Sequence, residues 1–258
     1  MRVISALWVV PVDGDPLPDG AVAIGDDGRI AAVGPAAELG PGERFDGAVI
    51  LPGFVNAHSH LEYAVYAGFG DGLPFAPWIS LHVRRKAKLE LEDMEAIARV
   101  GGADCLRSGV TTVGDASFAG AAATACAELG LRAVVYLEVF GGPEAIAERF
   151  EPMWNRLDGT LPDRVRLGIS PHAPYTCTPD LYAACMTLGI PVTTHLSESE
   201  HEAAYVRDGS GPWAELVDLL VEPLGTSGIR ELASRGLLDE RVVAAHCVTV
   251  DEEEIALL

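Results

Sequence analysis

The chain has 258 residues, 49% of them hydrophobic and 22% charged, which is too apolar for a disordered chain and enough to bury one large domain or a domain with an appendage. It carries 38 acidic against 18 basic residues, a formal net charge of −20, which argues against a nucleic-acid or anionic-membrane surface and for a small-molecule partner. No run approaches about 18 apolar residues, so no membrane span is expected.

Met1 to Val10 is apolar but runs straight into Pro11-Val12-Asp13-Gly14-Asp15, with no small-residue cleavage site, and reads as a strand rather than a signal peptide. Ala21–Ile24 and Arg29–Val33 flank Gly25-Asp26-Asp27-Gly28, two β-rich runs around an Asp-Gly turn, and predict a hairpin. Residues 1–50 are therefore expected to form a small β element, with a second domain over 51–258. Val49 to His60 follows as an apolar strand that ends in His58 and His60. In an extended chain residues i and i+2 share a face, so the two imidazoles leave the strand end aimed at one point. Such a pair suits a zinc-like cation, with nitrogen about 2 Å from the metal.

Gly68 to Ser80 reads as a long loop holding Phe75, Trp78 and Ile79, and a helix is expected over roughly 92–107. Strands are then expected at Gly109–Asp115, Arg132–Val139, Val165–Ser170, Ile190–His195 and Arg241–His246. Helices lie between them: an Ala-rich one ending at Gly130, one from Pro143, one capped by Thr178, and two or three pieces over 199–236. Asp251 starts a last helix. His82 and His201 fall outside the strand ends and read as surface or loop residues.

Strands alternating with helices imply a parallel sheet. An open doubly wound sheet is one arrangement, although no Gly-rich phosphate turn follows any strand. A βα barrel is the other, and it gathers polar residues at the C-terminal ends of its strands. His58, His60, Asp115, His172, His195 and His246 all fall at such ends. The five cysteines, at 105, 126, 177, 185 and 247, show no Cys-x-x-Cys spacing and fit reduced cytoplasmic thiols.

Four motifs carry a resemblance: Leu51-Pro52-Gly53-Phe54-Val55-Asn56-Ala57-His58-Ser59-His60-Leu61-Glu62, Ser170-Pro171-His172-Ala173-Pro174-Tyr175-Thr176, Thr194-His195-Leu196-Ser197-Glu198-Ser199, and Ala245-His246-Cys247-Val248. In this order they resemble the amidohydrolase superfamily, nearest to its cytosine/guanine deaminase and chlorohydrolase-like branch. The resemblance implies a TIM-type barrel and one divalent metal ion, zinc or alternatively ferrous iron, held by His58, His60 and His195. It implies that Glu198 shuttles a proton; if the chain turns helical after His195, Glu198 lies at i+3 on the same face. His246 would orient or deprotonate the attacking water, and His172 would contact the substrate. Glu62 and Trp78 complete the candidate substrate contacts.

The reaction so implied is hydrolytic deamination of an aminated purine, pyrimidine or nucleoside. Hydrolysis of a ring amide or a halide by the same site is the alternative, and an inactive metal-binding remnant a third reading. The His195–Ser199 run and Gly209–Trp213 are similar to aminodeoxyfutalosine deaminases. Relatives that deaminate adenosine-type thioethers hold the ribose with a Glu in the loop after Trp78, and Ile79–Ala87 contains none. Family members have eight barrel strands, with an aspartate on the eighth completing the metal site, whereas only six are expected before Leu258. A fragment of a longer protein is expected, with the remainder supplied in trans as the alternative and Asp115 as a substitute ligand. The expected partner is a small-molecule substrate, with no nucleic acid and no membrane; a homodimer is an open option.

Overall fold

The computed structural model describes residues 1–213 and 216–258. Residues 214 and 215, inside the stretch expected to hold helical pieces, lie outside the described residues. The chain divides into two compact units, Met1–Phe54 and Val55–Leu258.

The first unit is a four-stranded sheet of β1 (Arg2–Val9), β2 (Leu17–Ile24), β3 (Ile30–Pro35) and β4 (Glu43–Ile50), in the order β3-β2-β1-β4. β1, β2 and β3 form an antiparallel meander, and β4 returns parallel to β1. The expected hairpin turns at Gly28, whose φ of +77° is open to glycine at little steric cost. Val3, Ala21 and Ala23 make its small core.

The second unit is built on six strands: β5 (Phe54–Ser59), β6 (Val110–Ser117), β7 (Arg132–Val139), β8 (Val165–Pro171), β9 (Val192–Leu196) and β10 (Val242–His246). They neighbour one another in chain order, with parallel registers from β6 to β10. β5 runs the same way, since a side chain on Gly114 would meet the Ala57 carbonyl and Ser59 bonds to Asp115. Only glycine at 114 lets the histidine strand lie this close, because an added Cβ would stand 2.4 Å from that carbonyl oxygen. A doubly wound sheet reverses its strand order at a switch point. This one does not, and rings from its first and last strands meet, with His58 and His246 centroids 4.9 Å apart. The sheet therefore curls as six strands of a TIM-type barrel.

Helices fill the crossovers: α3 (Leu91–Arg107), α4 (Ala121–Leu129), α5 (Glu151–Leu157), α6 (Pro179–Thr187), α7 (Glu200–Asp208) and α8 (Gly228–Ser234). α1 (Ala36–Leu39) lies in the first unit, α2 (Phe75–Lys86) follows the histidine strand, and α9 (Glu252–Ile255) is last. The core packs Val135, Leu137, Ile169 and Leu196 of the strands against Leu181, Ile229 and Leu232 of the helices. Burial of each such side chain contributes roughly 1.5–3 kcal/mol. Thr178 caps α6 by accepting from Leu181 N, and Asp251 with Glu254 closes a reciprocal cap on α9.

Two expectations are corrected. The loop expected over 68–80 becomes helical at Phe75, because Phe75 and Ile79 bury against Trp213, Leu216 and their neighbours and that packing outweighs the Gly and Pro content. His82, read as a surface residue, sits on the inner face of the same helix against Tyr66 and Trp78 and is buried. His201 is half-buried and accepts from Ala76 N through Nδ1.

Candidate active site

β5, β8, β9 and β10 deliver histidines at or just past their C-terminal ends. His58 lies in the last turn of β5 and His60 just past it, and their ring centroids are 5.0 Å apart. His195 is buried in β9, with its ring stacked on His60 at 5.0 Å and on His246 at 5.5 Å. Ligand nitrogens of His58, His60 and His195 all lie within 4.8 Å of one another.

The tautomers follow from the hydrogen bonds. His60 Nδ1 donates to the Ala116 carbonyl at 2.8 Å, and His195 Nδ1 donates to the His172 carbonyl at 2.8 Å. Both Nε2 atoms are then bare lone pairs when the rings are neutral, and they face each other at 3.0 Å. Two facing acceptors repel unless a cation or a proton stands between them. Burial disfavours the proton: it lowers the His60 pKa to about 3 and that of His58 to about 4, and holds His195 well below the usual value. Three neutral imidazoles with Nδ1 anchored on two of them are the donor set of a borderline-soft divalent ion such as zinc, so the residues fit a metal.

Glu198 comes from the turn between β9 and α7. Ser197 takes a left-handed φ of +52°, so the chain does not turn helical directly after His195, and the expected i+3 spacing is replaced by this backbone kink. His246 and Cys247 likewise have φ of +75° and +49°. Such positions cost of order 1–3 kcal/mol each and persist where the surroundings fix them, typically at sites. The result places Glu198 Oε1 3.6 Å from His246 Nε2. Burial, with Glu202 beside it, pushes the Glu198 carboxyl up to about 8.

Glu202 was not anticipated. Its buried carboxylate accepts from Ser197 N at 2.9 Å and Glu198 N at 2.7 Å, and so fixes the turn that carries Glu198. The Ser199-x-x-Glu202 spacing was the readable signal, although Glu202 reaches two residues further back than in an ordinary capping box.

These groups open onto a cavity of about 580 Å³, the size of small-ligand sites. One wall is apolar, with Phe75, Trp78, Ile79 and Leu220. The other holds Tyr63, Lys86, Phe118, Glu138, Phe140 and Arg149, none of which the sequence singled out. His172 stands at the cavity with Nδ1 bonded to Thr176 Oγ1 at 2.7 Å.

Two candidates lie elsewhere. Glu62 does not line the cavity; its carboxylate accepts from Ser117 Oγ and from the backbone of Ala119 and Ala121. Asp115 accepts through Oδ2 from Ser59 Oγ at 2.8 Å and Leu61 N at 2.7 Å, leaves Oδ1 buried without a partner, and is not among the residues whose ligand atoms converge with His58, His60 and His195. Both residues hold the chain that positions His58 and His60.

A sequence model described as the amidohydrolase family matches residues 49–258. A 5-methylthioadenosine/S-adenosylhomocysteine deaminase of Syntrophobacter fumaroxidans is 34% identical over 95% of the chain and 57% of its own length. The crystal structure of an adenosine deaminase from Xanthomonas campestris with bound zinc superposes with a TM-score of 0.79 at 25% identity, over 99% of this chain and 60% of that one. The Helicobacter pylori aminofutalosine deaminase in complex with methylthio-coformycin superposes with a TM-score of 0.82 at 22% identity, a likeness of fold, over 100% of this chain and 66% of that one. The chain thus spans about 60% of the length of the relatives it matches. With a barrel whose strand ends converge on three anchored histidines, and a match over both units' junction and the whole second unit, the chain belongs to the amidohydrolase family.

Proposed function

We propose that the chain carries the site of a metal-dependent hydrolytic deaminase that acts on an aminated, nucleoside-like small molecule. The observation that carries this is the pairing of two features: lone pairs of His60 and His195 facing at 3.0 Å, and a carboxyl, Glu198, held up to about 8 within 3.6 Å of His246. His58, His60 and His195 would hold one divalent ion, zinc before ferrous iron. When bound, such an ion lowers the pKa of water from 15.7 to about 7, worth roughly 12 kcal/mol in favour of hydroxide.

The chain's own residues then do the following. Glu198 holds a proton on its carboxyl near neutral pH, the state from which it donates to a ring nitrogen of an amidine. His246 Nε2, beside it, orients the attacking water or takes its proton. His172 presents its Nε2 edge to the ring, since Nδ1 is tied to Thr176. The apolar wall at Trp78 and Phe75 stacks against a planar heterocycle and excludes bulk water. Water adds to the amidine carbon, the amine takes the proton, and ammonia leaves as the carbonyl forms.

The partner is a small molecule and not nucleic acid, in keeping with the net charge of −20. No helix among the described residues is long and apolar enough to cross a membrane, and five unpaired thiols suit a reducing cytoplasm. The test is ammonia release by the zinc-loaded full-length protein on a panel of aminopurines, aminopyrimidines, adenosine-type nucleosides and a chlorotriazine. Ammonia from the nucleosides is the expected result; chloride release alone, or no product from any substrate at full metal loading, overturns the reading.

A further inference from the structure

Within the cavity, Glu138 is a carboxylate without partners. It ends β7 with 1% of its surface exposed, and neither of its oxygens has a hydrogen bond. Buried carboxylates are ordinarily saturated, because stripping a charge of water without replacing its bonds is costly. Two cations stand near, yet neither bonds to it. Lys86 Nζ donates to Tyr63 OH at 2.8 Å and lies 3.7 Å from the Phe118 ring centroid. Arg149 donates from Nε to the Glu138 carbonyl at 2.7 Å and from Nη2 to the Phe118 carbonyl. The cations offset the carboxylate's charge and fix its backbone while both of its oxygens stay unpaired at the cavity wall, within 4.8 Å of a His172 ring nitrogen.

We propose that Glu138 selects the substrate by accepting from a neutral pair of adjacent donors on it. This rests on the nucleoside-like reading of the cavity above. Two unpaired oxygens on one rigid carboxylate match two donors side by side. The neighbouring Lys86 and Arg149 repel a ligand that is itself cationic, which sets a neutral donor pair above an amidinium or a second metal ion. The pair is either a vicinal diol, as on a ribose, or the N–H and NH2 edge of a base. A residue that only balanced Lys86 and Arg149 would leave the cavity indifferent to either.

The test is calorimetric binding to zinc-loaded full-length protein in a Glu198→Gln background that suppresses turnover, with Glu138 as in the wild type or changed by Glu138→Gln, and two ligand pairs. Adenosine against 2′,3′-dideoxyadenosine probes the diol, and guanine against hypoxanthine probes the base edge. In one pair the donor-bearing ligand should bind wild type about 10–100-fold more tightly, the range for bonds to a charged acceptor. Glu138→Gln should bring that ratio close to one and leave the affinity of the donor-poor ligand and the zinc content unchanged. If Glu138→Gln does not fold, Glu138→Asp keeps the charge and shortens the reach, and should reduce the ratio at an unchanged melting temperature. Ratios near one in the wild type for both pairs overturn the proposal. So does an equal loss for all four ligands with a lower melting temperature, which is a purely structural role. A second metal equivalent that disappears on substitution overturns it in favour of a cation at Glu138, His172 and His195. Binding ratios are read without turnover, so a wild type that discriminates but releases no ammonia sinks the deaminase reading and leaves the donor subsite standing.

Discussion

Glu62 and Glu138 are the same residue type, each about 1% exposed, one just past β5 and the other near the end of β7 in one barrel. Both oxygens of Glu62 are bonded: the Ser117 hydroxyl, the Ala119 amide in the loop after β6 and the Ala121 amide that opens α4 donate to it, and it ties the segment after the histidine strand to that loop. Glu138 has no bond on either oxygen. The first is a structural clamp, since both of its oxygens are bonded within the chain. The second keeps its bonding capacity for something that enters the cavity. Satisfaction, more than burial or charge, separates a carboxylate that holds the fold from one that faces a ligand.

That contrast can be broken or sharpened by substitution. The largest effect is expected at the metal centre. His58→Ala removes one of three neutral ligands, and zinc per chain should fall from stoichiometric to near zero by elemental analysis; a full complement in the variant would contradict its role. Glu198→Gln keeps size and reach but cannot carry the shuttled proton. Its kcat should fall by about 10²–10⁴ with KM and zinc content little changed. A kcat within about threefold of wild type would remove Glu198 from proton transfer.

Glu62→Gln tests the saturated side. The carboxamide presents N–H where Ala119, Ala121 and Ser117 also donate, so denaturant unfolding should show a loss of about 3 kcal/mol, from bonds to a charged acceptor of roughly 1.5–3 kcal/mol each. KM should hold, because Glu62 touches no cavity. A large rise in KM with unchanged stability would return Glu62 to the substrate contacts.

The smallest effect is on pH. Burial raises the folded-state pKa of Asp115 to about 8 and of Glu202 to about 7. A raised pKa gives stability that is complete below the unfolded value near 4 and is lost as pH climbs through 7 to 8. His58 and His60 are lowered, to about 4 and about 3, so their contribution is complete above 6.5 and is lost as pH falls through those values. The two trends cross, and the melting temperature of chelator-treated protein should peak near pH 6 and decline toward both 4 and 9. A melting temperature that rises steadily from pH 6 to 9 would show the buried carboxylates are not held protonated.

The sequence by itself determined the alternation of strand and helix, the placing of histidines at strand ends, and the caps at Thr178 and Asp251. Each of these is written in spacing of two or of about 3.6 residues and in the neighbouring two or three positions. It also carried the four motifs, because they are contiguous. What only the tertiary structure decided is which polar side chains are used up inside the fold. Glu62 sits within the first motif and reads as a site residue, yet its partners at Ser117, Ala119 and Ala121 lie 55 to 59 positions away. Lys86, Glu138 and Arg149 carry no local signal and meet only because α2, β7 and the turn before α5 converge on one cavity wall. Hydrogen-bond satisfaction is a sum over three-dimensional neighbours, and no spacing along the chain records it.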